Sequence, residues 1–305
     1  SRGTNCTQMV KFSLMGFTDN LELQILLFVA FLVVYLVTLL GNLGIILLIR
    51  TNPQLHSPMY YLLGNLALVD LLYSTAVTPK VLADLVMEKP LSYVGCVTQI
   101  LVFDIFLVTE CFLLAAMAYD RYLAVCHPLR YSVLISPRLC VQLVCGSYLT
   151  GLLNGIGQTI GMFNLSFCGS VVVNLFFCDI SLLISLSSSD STVSSLIITV
   201  SVFLFGVSSG LVVLVSYIAI ISAILSIRSA EGKCKAFSTC TSHLTTVSIF
   251  YGNGLFVYLK PRSSRPREED KWVAVLYTMV TPMLNPFIYS LRNQEVKEAL
   301  RRLRA

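Results

Sequence analysis

The chain has 305 residues, of which 56% are hydrophobic and 12% charged, and its mean hydropathy is +0.80. A soluble domain carries about a quarter charged residues, so this composition excludes one and belongs to an integral membrane protein. The net charge of +5 comes from 21 basic and 16 acidic residues with no basic stripe or nucleic-acid-binding motif, so nucleic acid is not an expected partner.

Residues 1–22 form a polar segment containing the sequon Asn5-Cys6-Thr7, a glycosylation site only if this end lies outside the cell. The apolar run Leu23–Ile49 is too long and too late for a signal peptide, and it can cross a hydrocarbon core of ~30 Å. Runs at Pro58–Leu85, Val97–Val125, Leu139–Phe163, Val193–Ile227, Ala236–Leu259 and Trp272–Leu291 bring the spans to seven. An odd number places the ends on opposite sides, so an outer N-terminus implies a cytoplasmic C-terminus. Lys and Arg are only slightly more frequent on the inner side, because the outer segment Lys260–Lys271 is itself basic. The expected organisation is an extracellular segment 1–22, a seven-helix domain 23–292 and a cytoplasmic tail 293–305. In that tail Val296, Ala299, Leu300 and Leu303 share one face, the pattern of an amphipathic surface helix.

Several polar groups lie within the spans. Asp70 is halfway through the second; in the third, Asp104 lies about 12 Å below Cys96, Glu110 about 21 Å and Asp120 about 36 Å, at 1.5 Å per residue. Acids at membrane depth face the bundle interior and are functional by default. Asp70 and Glu110 either share a proton or cation, or are protonated carboxyls bonded to a neighbouring helix. Gly41-Asn42 reads as a packing spot for small residues, and Asn154–Gln158 is polar enough to border a cavity. Gly206–Gly210 fits G-x-S-x-G, but that elbow needs a strand before it, and a small-residue helix contact suits this continuous apolar run better. His56, His127 and His243 all map to the inner side, and neither a catalytic constellation nor a repeated half is present, so neither an enzyme nor a transporter is expected. Pro286 should bend the last span. Among the cysteines, Cys6, Cys96, Cys168 and Cys178 lie on the outer side, where alone a bridge can form.

Four strings, LHSPMYYLLGNLALVD (Leu55–Asp70), MAYDRYLAVCHPLRY (Met117–Tyr131), KCKAFSTCTSHL (Lys233–Leu244) and PMLNPFIYS (Pro282–Ser290), resemble the tetrapod-type class II odorant-receptor branch of the rhodopsin-like G-protein-coupled receptors. So do Phe167–Ser170 and Phe176–Asp179 in the outer segment. The resemblance implies an all-α membrane protein, a seven-transmembrane helix bundle with a short amphipathic C-terminal surface helix. It implies that Asp120 holds Arg121 at rest and releases it to a G protein, with Tyr122, Tyr217, His243 and Tyr289 in the same coupling set. His243 is either a packing residue or a proton-sensitive switch. Asn285 joins Asp70 and Glu110 at a switch site where related receptors hold sodium; no other cofactor or metal is implied. Cys96 pairs with Cys178, and because Ser188 stands where the family usually has a cysteine, Cys168 is left as a free thiol or a partner for Cys6.

In this receptor class the ligand lies beneath the second outer loop. Helical spacing from the matched motifs brings Phe103, Asp104, Leu107, Ser201, Phe205, Tyr251, Gly254, Tyr258 and Thr278 to that depth. Asp104, with no basic residue in any apolar span to neutralise it, is expected to accept from an alcohol or phenol or to pair with an amine. A protonated Asp104 bonded to a helix neighbour is the competing reading. The partners implied are a small volatile odorant, a heterotrimeric stimulatory G protein that raises cyclic AMP, and membrane lipid. The expected location is the plasma membrane of olfactory cilia. Ligand binding would shift a pre-existing conformational equilibrium.

Overall fold

Each apolar run becomes a helix, and the first four start on recognisable signals. In the computed structural model, which describes residues 11–14, 17–18, 20–87, 90–167, 170–173, 175–259, 268–292 and 294–302, the long helices are α1 (Leu21–Thr51), α2 (Pro58–Val86), α3 (Tyr93–Cys126), α4 (Pro137–Phe163), α5 (Thr192–Ser226) and α6 (Ala230–Leu259). The seventh, α7, runs through Glu268–Val275, Leu276–Val280 and Thr281–Arg292, and a short α8 (Gln294–Arg302) follows. The Asn20 side chain accepts from the Glu22 and Leu23 amides to cap α1, Ser92 caps α3 through Gly95, and Ser136 caps α4 through Leu139. Pro58 and Pro137 take first-turn positions, where a missing N–H costs nothing.

Among the described residues, six of the seven long helices have the length and apolar composition of a membrane span. The exception is α6, whose first turns carry Glu231, Lys233 and Lys235. Large apolar side chains stay exposed along α1 and α5, such as Leu40 (71%) and Phe203 (66%), so these faces need lipid rather than water.

Close helix contacts occur where side chains are smallest. A Cβ on Gly151 would lie 2.3 Å from the Ile105 carbonyl oxygen, and one on Gly155 3.0 Å from that of Leu101, so α4 meets the α3 backbone only because these residues are glycine. Gly41 similarly faces Pro286. Pro286 has no N–H to return to Pro282, four residues earlier, and the Asn42 amide of α1 donates to that freed carbonyl at 3.0 Å. The Gly41-Asn42 packing spot is therefore a tie between α1 and the α7 proline.

Three features go beyond the expected all-helical plan. On the outer side β1 (Lys11–Leu14) pairs antiparallel with β2 (Leu91–Ser92), Lys11 opposite Ser92, and parallel with β3 (Ser170–Val173), Lys11 opposite Ser170 and Leu14 opposite Val173. Phe12 is sealed beneath this sheet against Phe167 and Tyr93. Second, α5 and α7 each contain a π segment, Val202–Val207 and Leu276–Val280. Third, α7 begins before Trp272, so Lys271 is not a loop residue but a buried member of the helix.

Candidate functional site

The polar side chains inside the bundle fall into three levels. At the inner end of α3, Asp120 is fully buried and its carboxylate is shared: Arg121 lies 3.4 Å from one oxygen, and the Tyr131 hydroxyl donates to the other at 2.7 Å. Tyr131 begins the single helical turn Tyr131–Leu134 that follows α3. Burial, then the neighbouring Asp120 charge, pushes its phenol pKa up, so it remains a donor. Tyr122 stacks edge-on with His127 and bonds it at 3.2 Å. Deeper, His243 of α6 has no exposed surface; its Nε2 meets the Leu114 carbonyl of α3 at 3.1 Å and its Nδ1 the Tyr217 hydroxyl of α5 at 2.7 Å. A carbonyl only accepts, so Nε2 carries the hydrogen, and in the neutral ring Nδ1 accepts from Tyr217. One imidazole thus joins three helices.

At mid-depth the Asn285 amide donates to Asp70 at 2.8 Å. The other Asp70 oxygen, the Asn285 carbonyl oxygen and one Glu110 oxygen are buried without a hydrogen-bond partner among the described residues. A cavity of about 10 Å³, lined in part by Asn42, Asp70, Asn285 and Tyr289, adjoins the first two; Glu110, on α3, is not in its wall. Unsatisfied carbonyl and carboxylate oxygens around a space of that size suit one water or one hard cation.

In the outer half Cys96 and Cys178 form a disulfide, with Cα atoms 5.6 Å apart, that ties the second outer loop to α3. Gln99, one turn below, reinforces it by accepting from the Cys178 amide at 2.9 Å and donating to the Ala76 carbonyl at 3.2 Å. Under this roof runs a chain of rings, Tyr73 to Phe103 at 4.8 Å, Phe103 to Phe177 at 5.5 Å and Phe177 to Tyr277 at 6.4 Å. Asp104, which follows Phe103, has a buried carboxylate oxygen with no hydrogen-bond partner among the described residues.

Comparison with known proteins places this arrangement. Residues 31–305 match the family model described as olfactory receptor. The chain is 49% identical to mouse olfactory receptor 5AR1 over 98% of its own length and 97% of that receptor, and 50% identical to human olfactory receptor 8U9 with the same coverage. The chain belongs to the olfactory receptor family. Its fold is that of squid rhodopsin, with a TM-score of 0.70 over 93% of this chain and 86% of that one at 17% identity. Members are G-protein-coupled signalling receptors for odorants, not enzymes, and are held in the membrane by multiple spans.

Within this receptor the residues expected at the coupling face separate into the Asp120–Arg121 cluster, the His243–Tyr217 bridge and the buried Tyr289. Of the expected ligand set, Phe103 belongs to the ring chain, and Phe205 and Thr278 fall inside the two π segments. Ser201 accepts from Gln158 at 3.0 Å, and Tyr251 donates to Ser209 at 3.0 Å. Leu107 and Gly254 are half-buried. Gly210 lies 3.4 Å, from a Cβ position, to the Tyr251 ring, so the G-x-S-x-G string is a helix contact. The side chain of Tyr258, with Asn5, Cys6 and Cys168, lies outside the described residues, as does the basic part of the outer segment, 260–267. Ser188 donates to the Ser166 carbonyl.

Sequence reasoning missed Tyr131, Gln99 and the attachment of α8. The Tyr60 hydroxyl of α2 donates to Glu295 at 2.5 Å, Arg302 donates to Gln54 at 2.8 Å, and Val296 and Ala299 are buried, so α8 is bound to the inner end of α2. Tyr131 closes the Met117–Tyr131 string itself, and a phenol eleven residues after a buried aspartate was the available signal.

Proposed function

We propose that this receptor binds a small volatile ligand in its outer half, beneath the Cys96–Cys178 roof, and activates a stimulatory G protein that raises cyclic AMP. On this reading the N-terminus is outside, the C-terminus is cytoplasmic, the cell is an olfactory sensory neuron and the membrane is that of its cilia. The observation that carries the reading is the shared carboxylate of Asp120. It holds Arg121 by a 3.4 Å contact, one that an incoming protein could break at small cost. A ligand that favours the conformation with Arg121 released shifts the equilibrium by its differential affinity for the two states. Asp70 and Asn285 would hold a sodium ion at mid-depth and neutralise its charge there, with the Glu110 carboxyl of α3 outside the cavity wall, and α8 would rest its basic side on the inner leaflet.

Ligand-evoked cyclic AMP in cells carrying this chain is the direct test. Arg121→Ala is expected to abolish that response at unchanged surface expression. A retained response, or a solute flux with no G-protein signal, would sink the proposal.

A further inference from the structure

We infer that the groove between the outer ends of α2 and α3 is a second ligand site, facing the lipid, for a neutral aliphatic alcohol of about nine heavy atoms. It opens on the outer surface of the bundle rather than beneath the second outer loop, and it stands independently of the odorant reading.

The first observation is the space itself. A cavity of about 230 Å³ is lined by Ala76 and Lys80 of α2 and by Gly95, Thr98, Gln99 and Val102 of α3. Pro79 withholds the N–H that would return to the Thr75 carbonyl, which loosens α2 there, and Ala76 and Gly95 carry too little side chain to fill the gap. Gln99 closes the back and is buried, whereas Thr98 is exposed, as are Leu72 and Val94 on the same two helices, so the mouth opens towards lipid. The lining runs from Gly95 to Val102, about 10 Å along α3. An apolar cavity of ~150 Å³ holds benzene, about 25 Å³ for each heavy atom, so 230 Å³ takes about nine. A sterol or a phospholipid is several times too large.

The second observation is the chemistry of the wall. Its surface is mostly apolar, which selects an alkyl chain. Its one charged member, Lys80, is paired with Asp84 one turn on and has other contacts, so its charge is already answered. A carboxylate would bring a second anion beside Asp84, and an ammonium a second cation beside Lys80, so a neutral head is favoured over either. The Thr98 hydroxyl donates to the Val94 carbonyl at 2.8 Å, and its oxygen accepts from no donor among the described residues, so it can take the hydrogen of an alcohol. An unpaired hydroxyl in apolar surroundings is costly, and this contact therefore fixes which end of the ligand meets Thr98.

The third observation is what the back of the cavity holds. Gln99 donates to the Ala76 carbonyl at 3.2 Å and accepts from the Cys178 amide at 2.9 Å, so the residue an occupant touches ties α3 to α2 and to the second outer loop. Filling a void adds contacts to the arrangement that contains it. An occupied groove steadies the Gln99 bonds and, through them, the loop.

The test uses the full chain purified into lipid nanodiscs and labelled with an octanol analogue that carries a photoreactive diazirine. Label is expected on the peptides holding Ala76–Lys80 and Gly95–Val102. Excess octanol should lower it at least fivefold, and octanoic acid or octylamine at the same concentration less than twofold. Ala76→Phe, which fills the groove, should lower the labelling at least fivefold. Thr98→Val, which keeps the shape and loses the acceptor, should make octanol no better a competitor than octane, and it carries the test if Ala76→Phe fails to fold. Octanol should also slow hydrogen exchange in the peptide holding Cys178. Label spread evenly over the lipid-facing helices, label displaced equally by the acid, the amine or a sterol, label indifferent to both variants, or exchange that octanol does not slow would overturn the inference. Silence to every odorant class would remove the odorant reading and leave this labelling unchanged.

Discussion

Two acids of α3, Asp120 at the inner end and Asp104 in the outer half, differ in how their oxygens are satisfied. At the inner side Asp120 has two partners, and His243 uses both ring nitrogens to join α3, α5 and α6. In the outer half Asp104 has an oxygen with none among the described residues, under a roof fixed by a disulfide and by Gln99. A buried polar group that is satisfied internally favours one conformation, and a group left unsatisfied carries a cost that an added donor or water would relieve. On the proposed function, the inner half serves as a latch and the outer half as a receptacle. Arg121 stands between these descriptions: its Nε is buried and unpartnered even while its outer nitrogen leans on Asp120, which keeps the latch releasable.

The largest effect should come from removing the outer roof. Cys96→Ser or Cys178→Ser deletes a cross-link between residues separated by 82 positions, a loss that commonly costs about 2–5 kcal/mol, so surface delivery should fall severely. Flow cytometry of a tagged receptor measures it. Surface levels within twofold of the unmodified chain would mean that β1, β3 and Gln99 suffice to hold the loop and that the outer half is less dependent on its bridge than the comparison holds.

The contrast was only partly legible in the sequence. The spans were, because a continuous apolar run has few other uses, and so was the Cys96–Cys178 pairing, through the family resemblance. The sheet was not: β1 is four residues long, and its partners lie about 80 and 160 positions away, so no local pattern announces it. The π segments of α5 and α7 are shifts of hydrogen-bond register, which composition does not record. Lys271 sits among the charged residues Glu268, Glu269 and Asp270, a pattern that looks like loop, yet the helix carries it inward. Asp120 and Arg121 were found by their motif, but the Tyr131 hydroxyl depends on how the chain turns back after Cys126, which only the fold supplies.

A second change tests whether the inner half is a latch. His243→Phe preserves much of the ring volume but leaves the buried Tyr217 hydroxyl with no acceptor and severs the link to Leu114. Burying an unsatisfied hydroxyl costs about 1–3 kcal/mol. If ~2 kcal/mol of this acts on the α6 position, the conformational constant shifts roughly thirtyfold, and basal cyclic AMP should rise at matched surface expression. Adding Tyr217→Phe removes the orphaned hydroxyl as well, so the double variant should recover part of the loss in surface stability while staying basally active. Basal output unchanged in both would reduce His243 to a packing residue.

The smallest expected effect isolates Tyr131, the member of the latch that lies outside the spans. Tyr131→Phe keeps the ring against Leu123, Ile135 and Cys140 and deletes only the hydroxyl that donates to Asp120 at 2.7 Å. Asp120 then depends on Arg121 alone, across 3.4 Å, and two effects compete. Losing the phenol's hydrogen bond frees the loop, which favours opening; concentrating the carboxylate's negative charge on Arg121 tightens that pair, which opposes it. A charge-assisted hydrogen bond is worth about 1.5–3 kcal/mol, while a long contact near the membrane surface gains only a fraction of that from redistribution, so release should win by ~1 kcal/mol. Basal cyclic AMP should therefore rise about fivefold, well below the rise in His243→Phe, with ligand potency on the outer side changed less than the basal level. A fall in basal output instead would show that Tyr131 competes with Arg121 for Asp120 rather than sharing it, and that the inner half is a balance of two donors on one acid.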